Sequence, residues 1–164
     1  MKQLLCICTI LILISCENAQ KQISLDKEQI TKEIEQTLFD YHMDINKDGL
    51  TAEFLYLDNS SDFFWVPPGH RSALNYDSVR TILNQNAKSL STVKFQWDTL
   101  QIFPLSDKIA NYTGIVNGQT IDTAGIESNV LIIESGTLIK RGDGWKLLSG
   151  QSAILDSKTE NDSK

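Results

Sequence analysis

Cysteine is absent after position 16. From there on the chain can form no disulfide and no cysteine-based metal site. Histidine is scarce: His42 and His70 are the only two, and they lack the spacing of a metal-binding pair on one helix. There is no glycine-rich phosphate loop and no nucleophile elbow. Basic residues number 15 against 21 acidic ones, for a net charge of −6, and they form no cluster. Nucleic acid is therefore not an expected partner. No apolar run reaches the roughly 20 residues that a membrane helix needs. No segment repeats. What remains is a 164-residue chain with 41% hydrophobic and 22% charged residues, enough for one domain with a real core.

The first segment stands apart. Met1-Lys2 gives a positive start, and Leu4 to Ile14 is apolar apart from Cys6, Cys8 and Thr9. That length suits the apolar region of a signal peptide. The run closes on Leu13-Ile14-Ser15-Cys16, which resembles the lipobox of bacterial lipoproteins. The resemblance implies cleavage before Cys16 and acylation of its thiol. Two or more acyl chains give stable anchoring, whereas one is marginal. The expected division is a leader over 1–15, a tether over 16–25, a domain over 26–155 and a disordered tail over 156–164. The expected location is the bacterial cell envelope, on a membrane and facing away from the cytoplasm.

Within the domain the hydrophobic period changes once. Asp26 caps a helix whose stripe is Ile30, Ile34, Leu38, Tyr41 and Ile45, ending near Lys47. Asp48-Gly49 breaks it, and Leu50 to Leu57 reads as a second short helix. Phe63 to Val66 is a short strand stopped by Pro67-Pro68-Gly69. Asp77 is the expected cap of a third helix. From Thr92 the period is two. Phe95, Trp97 and Phe103 fall on one face of a strand, with Asp98, Leu100 and Ile102 on the other. Lys108 to Asn117, Glu127 to Lys140 and Trp145 to Leu155 follow, with Gly118 to Gly125 as a polar connection. Asp143-Gly144 suits a tight hairpin turn, and Trp145, Leu147, Ser149 and Gln151 alternate onto one face after it. Helices first and antiparallel strands afterwards argue an α+β fold, with three helices packed on one face of a curved antiparallel sheet.

Three places carry a likeness. They are Asn46-Lys47-Asp48-Gly49-Leu50, Ser106-Asp107-Lys108-Ile109-Ala110, and Arg141-Gly142-Asp143-Gly144-Trp145-Lys146-Leu147. In this order they resemble the nuclear transport factor 2-like superfamily, in its SnoaL-like branch. The resemblance implies a cone, a curved sheet wrapped by helices around an apolar pocket, commonly dimeric through the outer sheet face. It also implies a choice, since members include lyases, isomerases and hydrolases as well as binding and assembly modules.

The residues favour binding over catalysis. In the ketosteroid isomerase-like members a carboxylate base directly precedes a proline on the first strand. Here Val66 precedes Pro67, and valine takes no proton. Histidines alternate after the last-strand tryptophan in many relatives, and Ser149 and Gln151 stand there instead. The expected pocket is formed by Tyr41, Trp65, His70, Tyr112, Trp145 and Gln151, and takes a small apolar ligand, with a protein partner as the other option. No catalytic residue is assigned, and no cofactor or metal is expected. The enzyme alternative uses His70, Tyr41 and Asp98; Asp122 and Glu134 are further carboxylates that a pocket could hold. A structural dimer without a pocket is the third alternative. His42, at the edge of the helix stripe, reads as structural. Asp44 to Gly49 matches the start of a calcium loop, but Leu55 stands where the closing carboxylate belongs, so calcium is not expected.

Overall fold

The computed structural model describes residues 25–159, with side chains through residue 155. The leader, Cys16 and most of the tether lie outside the described residues. Helix α1 is Lys27–Asp48, and the side chain of Asp26 accepts from the Gln29 amide at 3.0 Å. Its stripe of Ile30, Ile34, Leu38, Tyr41 and Ile45 is buried throughout, as the spacing predicts. Ile34, Leu38 and Ile45 are fully enclosed, and each contributes about 1.5–3 kcal/mol through the area it removes from water. Gly49 ends the helix at φ 82, a conformation open to glycine, and donates to Ile45 O.

The second helix is a short 3-10 stretch of about two turns, Leu50–Leu55. Strand β1 is Phe64–Val66 and helix α2 is Tyr76–Ser89. The cap of α2 is Asn75, not Asp77, with its side chain accepting from Ser78 N at 3.0 Å. Tyr76 and Asp77 thereby become the first helical residues. Four long strands follow: β2 Leu90–Pro104, β3 Ile109–Asp122, β4 Glu127–Arg141 and β5 Gly144–Thr159. The sheet order is β1-β5-β4-β3-β2. β1 pairs with β5 in parallel, so the five-stranded sheet is mixed, not wholly antiparallel. It stays open, with β1 and β2 at its edges. Among the described residues no helix is long and apolar enough to cross a membrane.

Two expected boundaries move. Gly118 to Asp122 is strand, not connection, because it pairs along β2 from Phe95 to Leu90; the turn is confined to residues 123–126. β5 continues past Leu155 to Thr159, where it pairs with Ser128 of β4. Four residues of the expected tail therefore belong to the sheet.

Two bulges change which side chains face inward. On β2, Trp97 pairs with Val116 and Thr99 with Ile115, which leaves Asp98 as an extra residue. An extra residue reverses the alternation. Leu100 and Ile102 consequently join Phe95 and Trp97 against the core, while Phe103 is exposed. On β5, Leu138 pairs with Leu147 and Thr137 with Ser149, leaving Leu148 extra. Trp145 and Leu147 remain buried inside, but beyond the bulge it is Gly150 that lies under Trp65 and Ser152 that bonds its indole.

α1 lies along the concave face and is fastened at both ends. Near its start, Glu33 accepts from Lys140 at 2.7 Å and from the Trp145 indole at 3.0 Å. Near its end, Asn46 accepts from Phe95 N at 2.6 Å and donates to Phe95 O at 3.0 Å. The 3-10 turn is tied down by Asp58, which takes a two-pronged contact from Arg141 at 2.8 Å and donates its amide to Leu147 O.

Candidate functional site

Between α1, the 3-10 turn, α2 and the inner sheet face lies a cavity of about 270 Å³. Its wall is largely apolar: Leu50, Leu57, Trp65, Val79, Leu83, Phe95, Val116 and Leu147 all contribute. Its polar groups are few: Tyr41 and His42 from α1, Glu53 from the 3-10 turn, Asn86 from α2, Glu134 from β4 and Ser152 from β5. Trp65 forms one side. Its ring lies over Gly150, where an added Cβ would stand 2.5 Å from it, and its Nε1 donates to Ser152 Oγ at 3.2 Å.

Glu53 and Glu134 dominate the chemistry. Burial pushes Glu53 up to about 8, and the neighbouring Glu134 carboxylate adds to the rise. Burial pushes Glu134 up to about 7, against the pull of a 2.5 Å hydrogen bond from the Tyr112 hydroxyl. Tyr41 sits beside Glu53 and offsets part of its rise. Both tyrosines are held well above their ordinary range, first by burial and then by these carboxylates. Both glutamates are only half-buried as residues, since they face the cavity rather than solid core. A carboxyl shielded this way loses the hydration that stabilises its charge.

His42 closes the wall beside them. Its ring stacks on Trp97 at 4.6 Å and 21°, and its Nδ1 is sealed with no partner. Burial pushes it down to about 4, so the imidazole is neutral near pH 7. An orphaned nitrogen is cheaper as a bare lone pair than as N–H, which favours the proton on Nε2.

No family model matches the chain, and no curated protein matches it by sequence. Solved structures do. A scytalone dehydratase-like protein from Novosphingobium aromaticivorans DSM 12444 superposes with a TM-score of 0.70 at 14% identity, covering 80% of this chain and 87% of its own. A nuclear transport factor 2-like superfamily protein from Salmonella enterica serovar Typhimurium gives 0.67 at 15%, covering 77% and 92%. The fold is the nuclear transport factor 2-like fold. The hexachlorocyclohexane dehydrochlorinase LinA-type3 from Novosphingobium barchaimii shares it, with 0.66 at 12% identity over 82% and 92%. At such identities the likeness concerns the backbone, and this nuclear transport factor 2-like cavity has to be read from its own side chains.

Of the six residues expected at the pocket, Tyr41 and Trp65 line it. Tyr112 stands one layer back and reaches it through Glu134. Trp145 does not line it; its indole donates to Glu33 near the start of α1. His70 is exposed on the loop after Pro67 and Pro68, and only the prolines reach the cavity. Gln151 is exposed on the outer face because the Leu148 bulge precedes it. Asp98 is itself a bulge residue and faces solvent. Asp122 accepts from the amides of Ala124 and Ile126 at 2.8 Å and organises a turn. Glu134 is the one suggested carboxylate that the fold brings to the cavity. Glu53 and the cavity role of His42 escaped the sequence reading. A buried carboxyl on so short a helix leaves no periodic signal, and His42 sits where a helix-edge histidine is ordinarily packing. A wider groove of about 570 Å³ across β2, β3 and β4 is open, and half of its lining residues are carboxamides, with Lys94 the charged group among them.

Proposed function

We propose that this chain is a small-molecule-binding protein of the bacterial cell envelope, lipid-anchored through Cys16, whose cavity takes one mostly apolar ligand. The observation that carries the reading is the cavity itself: enclosed by four elements, apolar over most of its wall, with a few convergent polar groups. A cavity of about 150 Å³ holds benzene, so this one has room for roughly ten non-hydrogen atoms. The presence of this cavity argues against the pocketless structural dimer. A homodimer is part of the same proposal, formed through the outer sheet face, where Phe103 and Ile133 are exposed. A panel of small aromatic molecules should quench tryptophan emission of the purified chain with one site, and Trp65→Phe should remove most of the change. Saturable binding that ignores Trp65 would place the ligand elsewhere.

One observation favours a second reading, a proton-transfer enzyme. With Glu53 at about 8 and Glu134 at about 7, the cavity holds one acid and one group poised to act as base near neutral pH. Two of the neighbours are named for eliminations, a dehydration and a dehydrochlorination. Each such reaction removes a proton and expels a leaving group, which is work for a base and an acid. Turnover of a ketone or a β-substituted substrate by the purified chain, abolished in Glu134→Gln, would decide for catalysis.

A further inference from the structure

Buried carboxylates are ordinarily matched by a cation or a metal. Glu53 and Glu134 share one cavity and repel each other, and no lysine or arginine is on its wall among the described residues. The cations of β4 and β5 are engaged outside it: Lys140 with Glu33, Arg141 with Asp58 and Lys146 with Asp143; Arg80 of α2 lies over the Phe54 ring. His42 cannot serve, because it is stacked on Trp97 and neutral. The tyrosine hydroxyls donate one hydrogen bond each but bring no charge. The chain therefore supplies two carboxyl groups and withholds the counter-charge that would let both ionise.

We infer that the ligand supplies it: the cavity is built for a small organic amine, with an ammonium head between Glu53 and Glu134 and an aryl or alkyl body along the apolar wall. This rests on the binding reading above and names its ligand class. An ammonium carries three N–H donors, enough for both carboxylates with one to spare. Tyr41, Trp65 and Phe95 border the same space, and aromatic rings can attract a desolvated cation. The rise of both carboxyls is what an empty site of this kind should show, since it comes from missing hydration and mutual repulsion. An ammonium would reverse both causes, so binding should expel the protons that the empty cavity retains. The titratable groups facing the pair are Tyr41 and His42 from α1 and Tyr112 from β3. α2, β2 and β5 present uncharged groups only.

The test is calorimetry on the full purified chain with 2-phenylethylamine and its neutral isostere 2-phenylethanol, in two buffers of different ionisation heat. The amine should bind at least about tenfold tighter than the alcohol at pH 7 and release about one proton. Its affinity should rise from pH 6 to pH 8 while that of the alcohol does not. Glu53→Gln and Glu134→Gln keep the size and neutrality of the protonated forms, and each should erase the preference of amine over alcohol. Equal or tighter binding of the alcohol, or amine binding with no proton release, overturns the inference and leaves the cavity reading standing. If neither compound binds, both fall. The pH series uses the unmodified chain, so the result does not depend on either variant folding.

Discussion

At the residue scale the cavity should govern how stability depends on pH. Glu53 and Glu134 have folded values near 8 and 7, above the ordinary 4.5. Each stays protonated in the folded chain after the unfolded chain has ionised, so stability falls as pH rises from about 4.5 toward 8. His42, pushed to about 4 from 6.5, acts oppositely: its contribution is present above 6.5 and lost as pH falls toward 4. Glu33, held at about 2 by Lys140 and Trp145, adds a loss below 4.5. Between 4.5 and 6.5 two groups favour acid and one opposes, so stability should peak near pH 5, on the acid side of neutrality. Each unbalanced proton is worth up to about 1.4 kcal/mol per pH unit. Urea titrations from pH 4 to 9 should show the peak, and Glu53→Gln should flatten its alkaline limb; a plateau from 5 to 8 would contradict the placement of both carboxyls. Tyr112→Phe should push Glu134 higher still by removing its donor, and cost about 1–3 kcal/mol once that carboxyl ionises. None of this was legible in the letters. Glu134 could be named as one carboxylate among several and Glu53 not at all, because burial of a single charge is decided by tertiary packing.

At the scale of elements, the helix was legible and the strand faces were half legible. α1 announces itself through a cap and a five-residue stripe, and all five residues are buried. Ile34→Ala should cost about 2–5 kcal/mol by leaving a cavity under the helix. Strand positions could also be read, but alternation holds only while no residue is inserted. The bulges at Asp98 and Leu148 each add one, and each error about a face begins there: Phe103 and Gln151 outside, Leu100 and Ile102 inside. Nothing in the strand sequences marks an insertion, because its cause is the curvature the whole sheet needs. Gly150 makes the most testable element. An alanine Cβ there would stand 2.5 Å from the Trp65 ring and 2.5 Å from Ser135 O. Gly150→Ala should destabilise by about 1–3 kcal/mol and shift Trp65 emission to the red in the folded state; an unperturbed spectrum would mean the indole does not rest on that backbone.

At the scale of the whole molecule, the architecture matched the resemblance, while anchor and assembly remain proposals with direct tests. Fatty-acid labelling should mark the protein, and Cys16→Ala should abolish the label and release the chain from membranes. Sedimentation should show a dimer that Ile133→Lys converts to monomer. The sheet order has a further consequence. β5, the last strand among the described residues, is not at an edge: it lies between β1 and β4. The 3-10 turn region docks on it too, through Asp58 N to Leu147 O and Leu147 N to Tyr56 O. The segment from Leu50 to Val66 packs on α1 and α2 but lacks its strand partner until Gly144 to Ser152 has been synthesised, and its contacts with β4 and β5 span more than 80 residues of sequence. Such distant pairings delay folding. The strand that closes the cavity is therefore also the one that sets when the segment over 50–66 can complete its pairing.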